Sequence, residues 1–276
     1  MISFDMYDTL VKRNVIKPED IFELVGLEFC NLTGRCIEDY KQIRCECEKI
    51  ARKKTKDEEI QYMQIFENME NISQEDRTLL KKLEILDIHT LGGGIYSYWP
   101  VDYSKPVDKA GDWARSVLNV RKVGKIAKEC GVDYCLEVLN RFEGYLLNTC
   151  AECKSFVEEV DVASVKMMLD TFHMNIEEDS MPEAILLAGD KLGHFHVGEN
   201  NRRLPGKGGL PWYEIGMALR AVGYNKNVVM EPFVRSGGGV GSDIKIWRDL
   251  SRGASDARLD ADAKNSVAYL RYVFSG

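Results

Sequence analysis

Three carboxylates and one imidazole stand at regular intervals in the second half of the chain, each directly behind or at the end of an apolar run. Glu137 closes Tyr134-Cys135-Leu136, Asp170 closes Val165-Lys166-Met167-Met168-Leu169, His196 ends Gly193-His194-Phe195-His196, and Glu231 follows Val228-Val229-Met230. The intervals are 33, 26 and 35 residues. A charged group at the end of a buried apolar strand is costly unless it is paired or bound to a metal. Three oxygen donors and one nitrogen make a hard site, better suited to Mn²⁺, Mg²⁺ or Co²⁺ than to structural zinc. A single strand-end acid can be only a helix cap or a surface charge. Four in successive units argue for a shared site.

The elements that must position these residues follow from the pattern around them. Apolar strand-like runs occur at 86–92, 133–139, 164–170, 192–197 and 227–233, separated by helical patterns near 107–130, 149–160, 181–189 and 211–222, with a helical tail over 260–274. Strands alternating with helices of this length read as βαβ units on a parallel sheet, and the period fits a (β/α) TIM-type barrel. In such a barrel the strand C-termini converge on one face, where active sites lie. Polar groups near the four residues extend the candidate site: His173, Glu143, Arg202 and Arg203. His194, two positions before His196, points to the same side of a strand. It reads as a residue behind the site or in the core, with a ligand role as the alternative.

Composition limits the partners. The chain has 276 residues, 45% hydrophobic and 29% charged, with a net charge of −7. That hydrophobic content excludes a disordered chain. No apolar run approaches the ~18 residues of a membrane helix, and the first residues lack the pattern of a secretory signal. No basic patch of a nucleic-acid binder is present. Arg52-Lys53-Lys54-Thr55-Lys56 runs at once into Asp57-Glu58-Glu59 and reads as a solvated helix face. Cys45-x-Cys47 and Cys150-x-x-Cys153 are too far apart for a structural zinc site, so the eight cysteines are expected to be reduced thiols in a cytoplasmic protein. Gly206-Lys207-Gly208-Gly209 lacks the Ser/Thr and spacing of a Walker loop; the glycine-rich run 236–242 precedes a helix and could cradle a phosphate, but tight turns are the expectation.

The chain changes character near residue 85. Residues 1–85 contain only Gly26 and Gly34 of 23 glycines, and all four tryptophans and all four histidines lie beyond. This marks a domain boundary, with one strand over 2–11, a helix start at Pro18, and helices over 36–56 and 74–84 on its N-terminal side.

Residues 86–276 closely resemble the D-psicose (D-allulose)/D-tagatose 3-epimerase family of xylose-isomerase-like barrels. The matching stretches include Gly94-Ile95-Tyr96-Ser97-Tyr98-Trp99, Glu137-Val138-Leu139-Asn140-Arg141-Phe142-Glu143, Met168-Leu169-Asp170-Thr171-Phe172-His173, Gly193-His194-Phe195-His196, Asn201-Arg202-Arg203, Met230-Glu231-Pro232-Phe233 and Gly241-Ser242-Asp243. Val197 departs from the Thr that many relatives carry. The resemblance implies a Mn²⁺ site (Co²⁺ or Mg²⁺ as alternatives) formed by Glu137, Asp170, His196 and Glu231. It implies epimerisation of a free ketohexose at C3, of the D-fructose/D-psicose or D-tagatose/D-sorbose type. Glu137 and Glu231 would exchange the C3 proton through an enediolate. Glu143, His173, Arg202 and Trp99 would hold the substrate, and a homo-oligomer is compatible with the family.

The same resemblance makes 86–276 the last five of eight barrel units, so the expected barrel is incomplete. Phe4-Asp5-Met6-Tyr7-Asp8-Thr9-Leu10 instead resembles the first motif of haloacid-dehalogenase-like hydrolases. Asp5 stands at the nucleophile position and Tyr7 where phosphatases usually carry a second Asp. The remaining motifs of that fold are missing from 1–85, so hydrolysis at Asp5 is not expected. The chain thus reads as the start of one fold joined to the last part of another. The alternatives to an active epimerase are an inactive fusion of two truncated genes, or another metal-dependent sugar isomerase of this barrel group.

Overall fold

The computed structural model describes residues 20–54, 62–85, 89–99 and 101–275. The strand expected over 2–11, with Asp5 and Tyr7, and the helix start at Pro18 lie outside the described residues. Two compact units divide at residue 88.

The first unit is helical where it is described. Helix α1 (Ile21–Thr33) buries Phe22, Val25 and Phe29, spaced along one helical face. It stops at Gly34, whose φ of 68° is the left-handed conformation glycine adopts without a Cβ penalty. That turn brings Cys36 back to Cys30, with Cα atoms 4.5 Å apart, and the two form a disulfide. The expectation of eight reduced thiols is corrected for this pair, because a helix C-cap reverses the chain within six residues; the other six cysteines are free thiols. Helix α2 (Tyr40–Lys54) buries Tyr40, Arg44, Cys47 and Ala51. The Arg44 guanidinium lies 4.5 Å from the Phe22 ring centroid, a desolvated cation over an aromatic face. Arg52, Lys53 and Lys54 are exposed in the last turn of α2, where cations complement the helix dipole. Short α3 (Tyr62–Glu67), which the sequence pattern did not reveal, and α4 (Gln74–Ile85) complete the unit.

The second unit is five parallel strands in sequential order: β1 (Thr90–Gly93), β2 (Asp133–Glu137), β3 (Val165–Asp170), β4 (Leu192–Val197) and β5 (Val228–Met230). Helices α5 (Lys109–Glu129), α6 (Cys150–Val160), α7 (Thr171–Glu177), α8 (Met181–Ala188) and α9 (Trp212–Ala221) form the connections, with α10 (Gly238–Asp243) and α11 (Asp256–Ser275) after β5. This is the alternation expected of an incomplete (β/α) barrel. Among the described residues, β1 and β5 each pair on one side only.

The three central strands, β2 to β4, are buried on both faces, the signature of a parallel sheet. Tyr134, Leu136, Val165, Met167, Leu169 and Phe195 join the apolar layer with residues of the helices, such as Phe156 and Ile185. The alternate positions Glu137, Asp170, His194 and His196 face the other way. One irregularity makes this possible. Met167 pairs with Leu192 but Met168 pairs with His194, so Gly193 is an extra residue in β4. Without that bulge, His194 and His196 would point into the apolar layer, where Leu192 and Phe195 pack. A Cβ on Gly193 would sit 2.5 Å from both Cys135 Sγ and Lys166 Cβ, so only glycine fits. Gly193→Ala is therefore expected to lower stability by about 1–3 kcal/mol through overpacking, measured as a lower urea midpoint with an unchanged m-value.

Candidate metal centre and polar pocket

The four residues singled out by spacing converge. Atoms of Glu137, Asp170, His196 and Glu231, one from each, all lie within 4.8 Å of one another. His196 Nδ1 stands 3.8 Å from Glu137 Oε1, 4.0 Å from Asp170 Oδ2 and 3.7 Å from Glu231 Oε2. These separations are too long for hydrogen bonds. Ligands about 2.0–2.2 Å from one cation stand roughly 3–4 Å apart, so the spacing matches a shared ion.

The local backbone explains each position. Asp170 ends β3 and is the N-cap of α7, with one carboxylate oxygen accepting from the Phe172 N–H at 2.7 Å. The cap leaves Oδ2 aimed at the cluster, buried and without a hydrogen-bond partner among the described residues. The cap uses one oxygen of this aspartate and leaves the other to the cluster. His196 Nδ1 and Nε2 are likewise buried without partners. Orphaned donor atoms of this kind, on a set of three carboxylates and one imidazole, fit a divalent cation.

Among the protein's own groups the charges are partly compensated. Burial, then the negative charge of Glu231, raises the Glu137 carboxyl to about 8. Burial also pushes Glu231 upward, but His196 and Arg202 overcome it and hold this carboxylate at about 2. Burial opposes a charge on His196, yet Glu231, Glu137 and Asp170 lift it to about 9. Two like charges about 4 Å apart repel by roughly 4 kcal/mol at an effective dielectric near 20, which explains why one of the two glutamates keeps its proton.

The residues proposed to surround the cluster are present with distinct partners. Arg202 Nη1 lies 3.3 Å from Glu231 Oε2 and 3.5 Å from Asp170 Oδ2, and its Nη2 lies 3.5 Å from Glu143 Oε1. Its guanidinium is held between the rings of Phe172 and Phe233, at 3.7 and 5.0 Å from their centroids. Glu143 accepts from Asn140 Nδ2 at 2.9 Å, and burial raises its carboxyl. His173 is buried, and burial lowers it to about 3, so it is neutral. The Asn140 N–H donates to its Nδ1, which places the ring proton on Nε2, 3.9 Å from Glu137 Oε1. His194 lies beside His196 with ring centroids 5.0 Å apart. Arg203 turns elsewhere and donates to the Leu250 carbonyl. Trp99, half-buried in the loop after β1, makes no hydrogen bond or ring contact with the cluster among the described residues.

One residue of the site was missed from the sequence. Glu199 is fully buried and accepts from Gly206 N at 2.7 Å, Trp212 Nε1 at 2.7 Å and Leu210 N at 3.3 Å. A Cβ on Gly208 would lie 2.2 Å from its Oε2. The glycine-rich run 206–209 thus wraps around a carboxylate of its own chain. The Glu199 carbonyl also accepts from the Arg202 N–H at 2.9 Å, at a residue with φ of 60°. Glu199 therefore sets the loop that delivers Arg202. The only signal available in the sequence was an acid a few residues before clustered glycines.

A family model described as "Xylose isomerase-like TIM barrel" matches residues 51–257. A D-psicose 3-epimerase of Ruminiclostridium cellulolyticum is 61% identical over 195 residues, covering 71% of this chain and 67% of that protein. A D-psicose 3-epimerase of Agrobacterium fabrum is 58% identical over 201 residues, covering 73% of this chain and 69% of that protein. A crystal structure of a D-psicose 3-epimerase in the presence of D-fructose superposes with a TM-score of 0.68 at 57% identity, over 73% of this chain and 69% of that one. The haloacid-dehalogenase-like motif expected at the N-terminus finds no counterpart in these matches.

Two outcomes follow from the geometry. A divalent cation held by the cluster would displace the proton on His196, so calorimetry in buffers of different ionisation enthalpy should read about one proton released per cation at pH 7. Affinity should rise with pH until His196 is deprotonated, near pH 9. Glu199→Gln should cost about 1–3 kcal/mol, since the amide nitrogen opposes one of the N–H donors, and this is read from urea unfolding.

Proposed function

Because the chain belongs to the xylose isomerase-like TIM barrel family, and within it to the family of D-psicose 3-epimerases, we propose that it is a metal-dependent ketose 3-epimerase acting on free ketohexoses. The observation that carries this reading is the convergence of Glu137, Asp170, His196 and Glu231 at the ends of successive strands, with Arg202 and Glu143 beside them. D-fructose/D-psicose is the preferred pair and D-tagatose/D-sorbose the second. Mn²⁺ is the preferred cation, with Co²⁺ and Mg²⁺ as alternatives. The six free thiols favour a cytoplasmic setting, and the Cys30–Cys36 disulfide is the opposing observation. No helix among the described residues is long and apolar enough to cross a membrane.

A divalent cation held by the four residues supplies Lewis-acid polarisation of the ketose carbonyl, which acidifies the neighbouring C3 proton. Inversion at one carbon then needs two proton-transfer groups on opposite faces of the substrate. Glu137, on β2, and Glu231, just after β5, come from strands that are not neighbours. One removes the C3 proton and the other returns a proton to the opposite face of the enediolate; which is the base depends on the direction and the epimer. Their environments push the two carboxyls apart, Glu137 upward and Glu231 downward, as an acid and base pair requires. The His173 Nε2–H and the Arg202 guanidinium donate to substrate hydroxyls, Glu143 accepts from one, and Trp99 covers the sugar.

A competing reading is a protein that keeps its ligands but turns over little or no sugar. The observation that favours it is the five-stranded sheet, in which β1 and β5 each have one strand neighbour among the described residues. A third, another sugar isomerase of this barrel group, separates on a panel of ketoses. The full chain with D-fructose and Mn²⁺ is expected to yield D-psicose on chromatography. EDTA should abolish product, and Glu137→Gln should lower the rate by at least about 10²–10⁴-fold. No product, with a control epimerase active alongside, would establish the competing reading.

A further inference from the structure

We propose that His194 is a positioning residue for the metal ligand His196, linked through one bridging water to the His196 nitrogen that faces away from the carboxylates. This rests on the reading of the four-residue cluster as a cation site.

Three observations carry it. His196 turns Nδ1 toward Glu137, Asp170 and Glu231, at 3.7–4.0 Å, so Nε2 is the nitrogen left over for an outer partner. A metal-binding imidazole almost always donates its other N–H to an acceptor, which fixes both tautomer and ring orientation. Among the described residues, Nε2 has no carboxylate, carbonyl or hydroxyl in hydrogen-bonding range, although it is buried. His194 is 1% exposed, and both of its ring nitrogens are also without partners. The two rings meet edge to face, with centroids 5.0 Å apart and planes inclined at 72°. No direct hydrogen bond joins the two rings, and one water bridging a ring nitrogen of His194 to Nε2 would satisfy two buried groups that otherwise cost about 1–3 kcal/mol each.

The backbone also spends an irregularity on this pairing. The bulge at Gly193 turns His194 and His196 to the same face as Asp170, while Leu192 and Phe195 on the same strand pack into the apolar layer. A core histidine serving only as filler has no need of two unsatisfied nitrogens there, since Phe or Leu would fill the space without the desolvation cost.

The test is the affinity of the full-length protein for Co²⁺ and Mn²⁺, titrated by calorimetry without sugar, together with the visible absorption spectrum of the Co²⁺ form. His194→Phe keeps a ring of similar shape and removes both nitrogens. It should weaken binding by about 10–100-fold and shift the Co²⁺ bands, with the metal-free melting curve unchanged. His194→Gln keeps a donor and an acceptor and should retain affinity to within about threefold and the wild-type spectrum. Wild-type affinity in His194→Phe would overturn the proposal. So would equal losses in both variants, which point to packing rather than hydrogen bonding. A His194→Phe protein that does not fold leaves the decision to His194→Gln, where an unchanged spectrum and affinity support the proposal and a tenfold loss overturns it. A wild-type chain that binds neither cation removes the cation site itself, and this inference with it.

Discussion

Three carboxylates and an imidazole cannot share a buried space less than 5 Å across unless something positive stands among them. That electrostatic constraint organises the C-terminal unit. The protein's own groups divide the burden: burial and Glu231 raise the Glu137 carboxyl, the surrounding carboxylates raise His196, and the Arg202 guanidinium approaches Asp170, Glu143 and Glu231. A divalent cation would take over part of this burden, because it brings positive charge and its own coordination demand.

The polypeptide around the cluster consists of devices that hold charged groups in a low-dielectric setting without leaving them free to move. Asp170 is fixed by capping a helix with one oxygen. His173 is fixed by the Asn140 backbone, and its tautomer follows from that bond. Arg202 lies between two phenylalanine rings in a left-handed backbone conformation that its loop imposes. Behind that loop, the buried Glu199 carboxylate is satisfied by three N–H donors and gathers residues 206–212 around itself. Charge-assisted bonds of this kind exchange stability for precise placement.

The sheet can do this because its two buried faces have different chemistry. One carries apolar residues against the helices, and the other carries the carboxylates and imidazole of the cluster. Strict alternation along β4 would have put Leu192 and both histidines on the same side. The bulge at Gly193 resolves the conflict at the cost of one unpaired residue and a position where no side chain fits.

Much of the C-terminal unit was legible in the residues. The period of apolar runs gave the five strands to within a few residues, because a strand buried on both faces must be apolar throughout. The intervals between Glu137, Asp170, His196 and Glu231 marked the convergent ends. Short helices escaped: α7 starts on Asp170 itself, where a cap replaces any apolar periodicity, and α3 is too short to show one. The Cys30–Cys36 disulfide also escaped, since closing it depends on the left-handed turn at Gly34.

The sequence by itself determined which side chains end the strands and hence which donors could meet. Only the tertiary structure decided the rest: that Asp170 caps a helix with one oxygen and leaves the other to the cluster, that His196 presents Nδ1 to the carboxylates, that the Glu199 carboxylate occupies the glycine-rich loop, and that His194 lies against His196. Those outcomes depend on distances of a few ångströms between residues far apart in the chain. Such distances are set by register, bulges and caps acting together, and local residue preference carries no record of them.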